Sequence, residues 1–346
     1  MRVAIVDDST MAVESLRRVL ASSPNYQLAW VARDGAEAVW RCTLDTPDLI
    51  LMDLVMPVMD GVEATRKIMA STPCAILIVT STVSGNASKV FQAMGCGALD
   101  AVNTPILGSA GDAPGKAELL AKIAMIGKLV CHKRDDVAAP RGNKGMDNSL
   151  KSNNTALVAI GASSGGPHAL AQVLSALPAD FSSPVVIVQH VDEHFSSELA
   201  QWLDKQCALN VRLARSEDTL MPGQVLIAGT NDHLIIRPDN HLDYTPFPKE
   251  MPYRPSVDMF FNSVADNWRG NAVAVLLTGM GRDGAEGLLH LRQRGVHTIA
   301  QNEATCAVYG MPRAAVKLNA AVDVLPLGDI GTALAKLLPA RYKGKG

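Results

Sequence analysis

Several features are missing from this chain, and each absence narrows its class. No apolar run approaches the ~20 residues needed to span a bilayer. Stretches such as Ala272–Leu277 stop far short of that length, so membrane insertion is not expected. There is no basic excess either: 32 Lys and Arg face 34 Asp and Glu, for a net charge of −2. Nucleic acid is therefore not an expected partner. Acidic Asp7 and Asp8 arrive too early for a secretory signal. The six cysteines (42, 74, 96, 131, 207 and 306) never form a C-x-x-C pair. Scattered this way they read as reduced thiols, mostly small core residues, in a cytoplasmic protein rather than as disulfides or a zinc site. What is present, 346 residues at 48% hydrophobic and 19% charged, suffices for two globular domains.

The first 134 residues alternate strand and helix. Short β-rich runs at Val3–Val6, Leu28–Ala32, Leu49–Met52, Ala75–Val79 and Ala98–Val102 are separated by helical patterns, and an amphipathic segment at Lys116–Lys133 closes the series. This predicts a (βα)5 unit with a flavodoxin-like parallel sheet, whose functional groups gather beyond the carboxyl ends of the strands. Polar residues sit at those ends: Asp7 and Asp8 after the first run, Asp53 after the third, Thr80 after the fourth. Any one of these acids suits a helix N-cap or a solvated loop. Three carboxylates drawn together instead call for a hard cation such as Mg²⁺, with Asp53 placed to attack a phosphoryl group.

Residues 135–154 are polar, rich in Gly, Asn, Lys and Pro, and lack apolar periodicity. They read as a flexible linker reaching roughly 25 Å. A second α/β unit follows over residues 155–340, with strand-like runs at Ala156–Ile160, Pro184–Gln189, Val211–Ala214, Val225–Ala228, Ala272–Leu277, Thr298–Ala300 and Val322–Leu325. Leu234–Arg237 and His241–Tyr244 suggest a hairpin, and Ser256–Trp268 a helix.

Gly161-Ala-Ser163-Ser164-Gly165 between a strand and a helix is a literal G-x-S-x-G, a turn that lifts a serine hydroxyl clear of a sheet. The first free N–H groups of the following helix are expected to face the same spot and hold an oxyanion. Small-residue turns after buried strands are common without catalysis. His190, ending the run Val185–Gln189, is the candidate base, and Asp283 in Gly279-Met280-Gly281-Arg282-Asp283-Gly284 the candidate orienting acid. Taken singly, His190 suits a satisfied core histidine and Asp283 an N-cap for the helix at Ala285–Arg294. Three such residues at three strand ends favour a triad. Its order, Ser–His–Asp, differs from that of the α/β-hydrolases. Two other readings are weaker: the glycine turn lacks the middle glycine of G-x-G-x-x-G, and His190-Val-Asp-Glu-His194 lacks the H-E-x-x-H order.

Both halves resemble known families. Val6-Asp7-Asp8, Leu51-Met-Asp53-Leu-Val55-Met-Pro57, Met59-Asp60-Gly61 and Val79-Thr80-Ser81 resemble a bacterial response-regulator receiver domain. The resemblance implies phosphorylation of Asp53 by a CheA-type histidine kinase, Mg²⁺ held by Asp8, Asp53 and the Val55 carbonyl, and Asp7, Thr80 and the residue at Thr104 in the switch. Two positions depart from the pattern: Thr104 stands where receivers carry a lysine, and Ala101 where they carry an aromatic. Ala159-Ile-Gly-Ala-Ser163-Ser-Gly-Gly166, Ile187-Val-Gln-His190, Arg254-Pro-Ser-Val-Asp258, Leu277-Thr-Gly-Met-Gly-Arg-Asp283-Gly and Tyr309-Gly-Met-Pro312 resemble the CheB-type protein-glutamate methylesterases. That family's usual arrangement places a receiver ahead of the esterase.

The second resemblance implies Ser163 as nucleophile, His190 as base and Asp283 as orienter. It places Ser164 and Met280 beside the oxyanion, with no catalytic cofactor. The substrate would be the methylated cytoplasmic domain of a chemoreceptor. Val58-Met-Asp-Gly-Val-Glu-Ala-Thr-Arg66, Pro73–Thr80 and Gln189-His-Val-Asp-Glu193 are most similar to the Wsp-type (WspF) branch. A rival from another class is a phosphorylation-gated module that docks on receptors without turnover, a role that would not require all three of Ser163, His190 and Asp283.

Overall fold

The computed structural model describes residues 1–81, 85–105, 115–132, 156–191, 193–251 and 253–338, without the side chains of 128–132 and 194. The linker expected at 135–154 lies outside the described residues.

The N-terminal unit runs β1 (Arg2–Val6), α1 (Thr10–Ala21), β2 (Gln27–Ala32), α2 (Gly35–Leu44), β3 (Leu49–Met52), α3 (Gly61–Ser71), β4 (Ala75–Thr80), α4 (Ala87–Gly95), β5 (Asp100–Asn103) and α5 (Lys116–His132). All five strands are parallel, in the order β2-β1-β3-β4-β5. Leu49–Met52 and Ile76–Val79 are fully buried, as a sheet covered by helices on both faces requires. Helix starts follow local chemistry. Ser9 caps α1 through the Ala12 N–H, Asp34 caps α2 through Ala36 and Glu37, and Asp60 caps α3 through Glu63.

The second unit runs β6 (Leu157–Ala162), α6 (Gly166–Ser175), β7 (Val185–Gln189), α7 (Glu193–Asp204), β8 (Asn210–Leu213), β9 (Asp218–Thr219), β10 (Gln224–Ile227), β11 (His233–Ile236), β12 (His241–Thr245), α8 (Val257–Asn267), β13 (Ala272–Leu276), α9 (Ala285–Gln293), β14 (His297–Gln301), α10 (Met311–Lys317), β15 (Asp323–Leu325) and α11 (Leu327–Leu337). Seven strands form a parallel sheet in the order β15-β14-β13-β6-β7-β10-β8. The expected hairpin forms between β11 and β12, and β9, too short to read from the sequence, extends it to three strands. Within the large sheet the strand order reverses on either side of β6. In doubly wound folds ligands bind at such a reversal, beyond the carboxyl ends. There β13 and β7 flank β6, pairing Leu276 with Gly161 and Gln189 with Ala162.

The two units touch. Helix α4 packs on α6 and α7. Phe91 stacks on Trp202 with ring centroids 6.3 Å apart, and Gly95 lies so close that a Cβ there would be 2.7 Å from the Trp202 ring. No helix among the described residues is long and apolar enough to cross a membrane.

Candidate active site

Ser163 follows β6 directly. Its N–H donates to the Thr278 carbonyl at 3.0 Å, and its own carbonyl accepts from Gly166 N–H at 2.7 Å and Gln189 Nε2 at 2.9 Å. The bend comes two residues later, at Gly165, whose φ of 75° is left-handed. Close approach makes glycine necessary nearby as well: a Cβ on Gly279 would lie 2.8 Å from the Ser163 Cβ. Helix α6 begins at Gly166 rather than at His168, because Pro167 is well suited to the first turn.

His190 continues β7, its N–H bonded to the Ala162 carbonyl at 3.0 Å. Its Nε2–H donates to Asp283 Oδ2 at 2.7 Å. The ring stacks flat on Tyr253, with centroids 4.8 Å apart. The other ring nitrogen, Nδ1, is buried without a hydrogen-bond partner. With the Nε2 proton directed at Asp283, Nδ1 carries the lone pair with which His190 can act as a base. Ser163, Ser164 and His190 line one cavity of about 430 Å³ with Tyr253 and Arg254.

Asp283 does not cap its own helix. The residue at the start of α9 is Gly284, in the left-handed region and without a side-chain cap. The Asp283 carboxylate serves α8 instead: besides His190 it accepts from Ser256 Oγ at 2.8 Å, Val257 N–H at 2.7 Å and Asp258 N–H at 3.1 Å. Burial alone would raise this acid, but the His190 hydrogen bond and charge, with the N–H donors of Val257 and Asp258, hold it below the usual carboxylate range. It is therefore built to stay ionised beside an imidazole.

The oxyanion expectation needs a correction. The first donors of α6 are already engaged, Gly166 N–H by the Ser163 carbonyl and Gly165 N–H by the Leu99 carbonyl of the N-terminal unit at 3.2 Å. The N–H groups of Ser164 and Met280 have no acceptor among the described residues, which leaves those two as candidates. Sequence reasoning missed three supports. Gln189 braces the turn through Ser163 and His190 carbonyls, Thr278 Oγ1 holds the Ser164 carbonyl at 3.0 Å, and Tyr253 covers the imidazole. None of the three left a signal, whereas Ser256, which donates to Asp283, did so as an N-cap residue before an apolar run.

In the N-terminal unit Asp7, Asp8 and Asp53 bring carboxylate oxygens within 4.8 Å of one another. Burial pushes Asp7 up to about 6, opposed by the Ser9 N–H and by Arg33 and reinforced by Asp53 and Asp8. Burial also raises Asp53, against N–H groups of Leu54 and Val55 and the Thr80 hydroxyl, with Asp8 adding to the rise. An all-oxygen cluster in which Asp7 and Asp53 resist ionising fits a hard divalent cation. Thr80 is buried and accepts from Asn86 Nδ2 at 3.1 Å, and its carbonyl holds the Thr104 N–H at 2.9 Å. No ion pair among the described residues joins a lysine or arginine to Asp7, Asp8 or Asp53. Lys122 is instead committed to Asp100 and the Ala101 carbonyl, and Lys89 lies beside Asp60.

Comparisons with known proteins match both units. A CheB methylesterase family model matches residues 158–334 and a response regulator receiver domain model residues 3–109. The protein-glutamate methylesterase/protein-glutamine glutaminase 3 of Pseudomonas aeruginosa is 53% identical over 342 residues, covering 97% of this chain and 99% of its own. The enzyme numbered 1 in Bordetella avium is 55% identical over 341 residues, covering 97% of each. The Thermotoga maritima CheB methylesterase catalytic domain superposes with a TM-score of 0.51 at 34% identity, covering 53% of this chain and 99% of that one. Matched over 97% of its length by these relatives, with a receiver model over its first unit and a CheB methylesterase model over its second, this chain belongs to the CheB methylesterase family.

Proposed function

We propose that this protein is a phosphorylation-regulated protein-glutamate methylesterase, acting on glutamate methyl esters of a chemoreceptor's cytoplasmic domain. The observation that carries this reading is the His190–Asp283 hydrogen bond opening onto the cavity that holds Ser163. Ser163 Oγ attacks the ester carbonyl while His190 Nδ1 takes its proton, the Nε2 proton being committed to Asp283. The N–H groups of Ser164 and Met280 receive the oxyanion. The imidazolium returns its proton to the departing methanol. Water activated by His190 then releases the glutamate carboxylate and frees Ser163. The same machinery would accept a glutamine side chain and release ammonia, and the relatives' names include that activity. Methanol and ammonia release from receptor membranes, with Ser163→Ala as control, tests both. Activity retained by Ser163→Ala would reject the mechanism.

The receiver reading assigns phosphorylation of Asp53 to a CheA-type kinase, with Mg²⁺ on Asp8, Asp53 and the Val55 carbonyl. Bound there, the cation would neutralise the transferred phosphoryl group. Residues 1–134, 135–154 and 155–340 then divide as receiver, linker and esterase. Regulation would act at the contact between the units, because the α4–β5 side of the receiver lines the Ser163 cavity and the Leu99 carbonyl occupies a donor of the nucleophile turn. Membership of the Wsp-type branch would make the substrate a surface-sensing receptor. Ester turnover on that receptor compared with a swimming-chemotaxis receptor would test it.

A further inference from the structure

The turn that carries Asp283 and the first turn of α8 hold each other. Asp283 belongs to the α9 side yet caps α8, as described above. Asp258, in the first turn of α8, returns the contact: its Oδ1 accepts from Gly287 N–H, in the first turn of α9, at 2.7 Å. Each helix is thus capped by an acid of the other. The two helices meet so closely that a Cβ on Gly287 would lie 2.7 Å from the Phe261 Cβ and 3.0 Å from the Asp258 carbonyl oxygen. The position is costly for an acid. Burial, opposed by the Gly287 N–H and reinforced by the charge of Asp283, pushes the Asp258 carboxyl up to about 6. A neutral residue would fill the same space without the repulsion.

We propose that Asp258 is a positioning residue for the His190–Asp283 pair: it pins the turn bearing Asp283 and places a second negative charge behind it. That charge favours the imidazolium formed as Ser163 loses its proton. The proposal rests on the reading of Ser163, His190 and Asp283 as the catalytic set. Among the described residues, the charged or titratable groups around Asp258 are few. Asp283 faces it from the turn, with His190 beyond. Buried His233 on β11 accepts the Ser256 N–H on Nδ1. On α9, Glu286 is exposed and His290 is engaged by Asn262 and Asp266. Exposed Arg282 precedes Asp283.

The test is the pH profile of methanol release by the full-length protein from methylated receptor membranes. Asp258→Asn keeps an oxygen for Gly287 but loses the charge. It should lower kcat about fivefold with little change in KM, and move the acid limb of kcat/KM down by about half a pH unit. Asp258→Glu keeps the charge but disturbs the Gly287 contact, and should lower kcat while leaving the limb in place. A folded Asp258→Asn protein with wild-type kcat and limb would overturn the proposal. So would a kcat loss with no shift of the limb, which marks a purely structural residue. If Asp258→Asn does not fold, an acid limb displaced in Asp258→Glu as well would overturn it. A fully active Ser163→Ala control would reject the underlying catalytic set, an outcome separable from all of these.

Discussion

Asp283 receives four hydrogen bonds and lies below its ordinary carboxylate range, whereas Asp7 and Asp53 receive fewer and are pushed upward by burial. Both sites sit at the carboxyl ends of parallel strands in one chain. The esterase acid is surrounded in advance by donors from its own fold, so its charge is fixed before substrate arrives. The receiver acids face each other with fewer donors, and burial with mutual repulsion raises Asp7 and Asp53. We therefore expect that one site is finished by folding and the other by binding.

The sharpest way to break that comparison is at the finished site. Ser163→Ala should cut ester hydrolysis by about 10,000-fold without unfolding the protein, while Ser164→Ala stays far milder because its contribution is a backbone N–H. His190→Ala should fall nearly as far, Asp283→Asn less, and the Ser163→Ala/His190→Ala double variant no further. Methanol release measures all four, and an inactive Ser164→Ala beside an active Ser163→Ala would reverse the assignment.

A smaller effect is expected at the contact between the units. Trp202→Ala, which removes the ring against Phe91 and Gly95, should raise the unphosphorylated rate by about tenfold, since a lost aromatic contact of ~1.4 kcal/mol shifts the docking equilibrium that much. A chain beginning near Asn153 should be active with no phosphodonor. Rates at or below wild type in both would show that the receiver does not restrain the esterase.

At the unfinished site the expectation depends on pH. An acid whose folded value exceeds its ordinary value holds its proton more tightly when folded. Asp7 therefore supports folding at low pH and costs stability as pH rises through about 6. In EDTA at pH 8, Asp7→Asn should raise the melting temperature of the receiver transition by about 5 °C, a gain that shrinks toward pH 5. Asp8→Asn, which removes an assigned ligand, should abolish any Mg²⁺-induced rise seen in wild type. An Asp7→Asn variant that melts lower than wild type at pH 8 would mean the cluster is already compensated.

The smallest effect concerns Thr104. A neutral hydroxyl hydrogen bond is worth about 1 kcal/mol and a charge-assisted one about twice that, so a threonine biases the switch less than a lysine. Phosphorylation of Asp53 should stimulate the esterase only about threefold, and Thr104→Lys should increase that stimulation. Esterase rates with and without a small-molecule phosphodonor decide it. Strong stimulation of wild type that Thr104→Lys does not improve would point to another route of coupling.

Much of this architecture was legible in the sequence because it is local. Alternating runs set the strands, and Ser163, His190 and Asp283 stood out as reactive types at strand ends. What stayed hidden was contact between distant segments. Nothing near Asp283 says that it caps α8 rather than α9, since that depends on how two helices distant in sequence meet. Gly279 read as part of a glycine-rich turn, and only packing shows that it clears space for Ser163. The engagement of Gly165 by Leu99 needed both domains at once.

That last contact also links the two sites thermodynamically. If a substrate side chain entering the nucleophile turn cannot share that ground with the Leu99 carbonyl, occupancy of the cleft and docking of the receiver exclude each other there. Coupling of this kind is reciprocal. If phosphorylation weakens docking and thereby admits substrate, then substrate in the cleft must favour the phosphorylated receiver by the same factor. A receptor rich in methyl esters would, by mass action alone, help keep its own esterase switched on until the esters are gone.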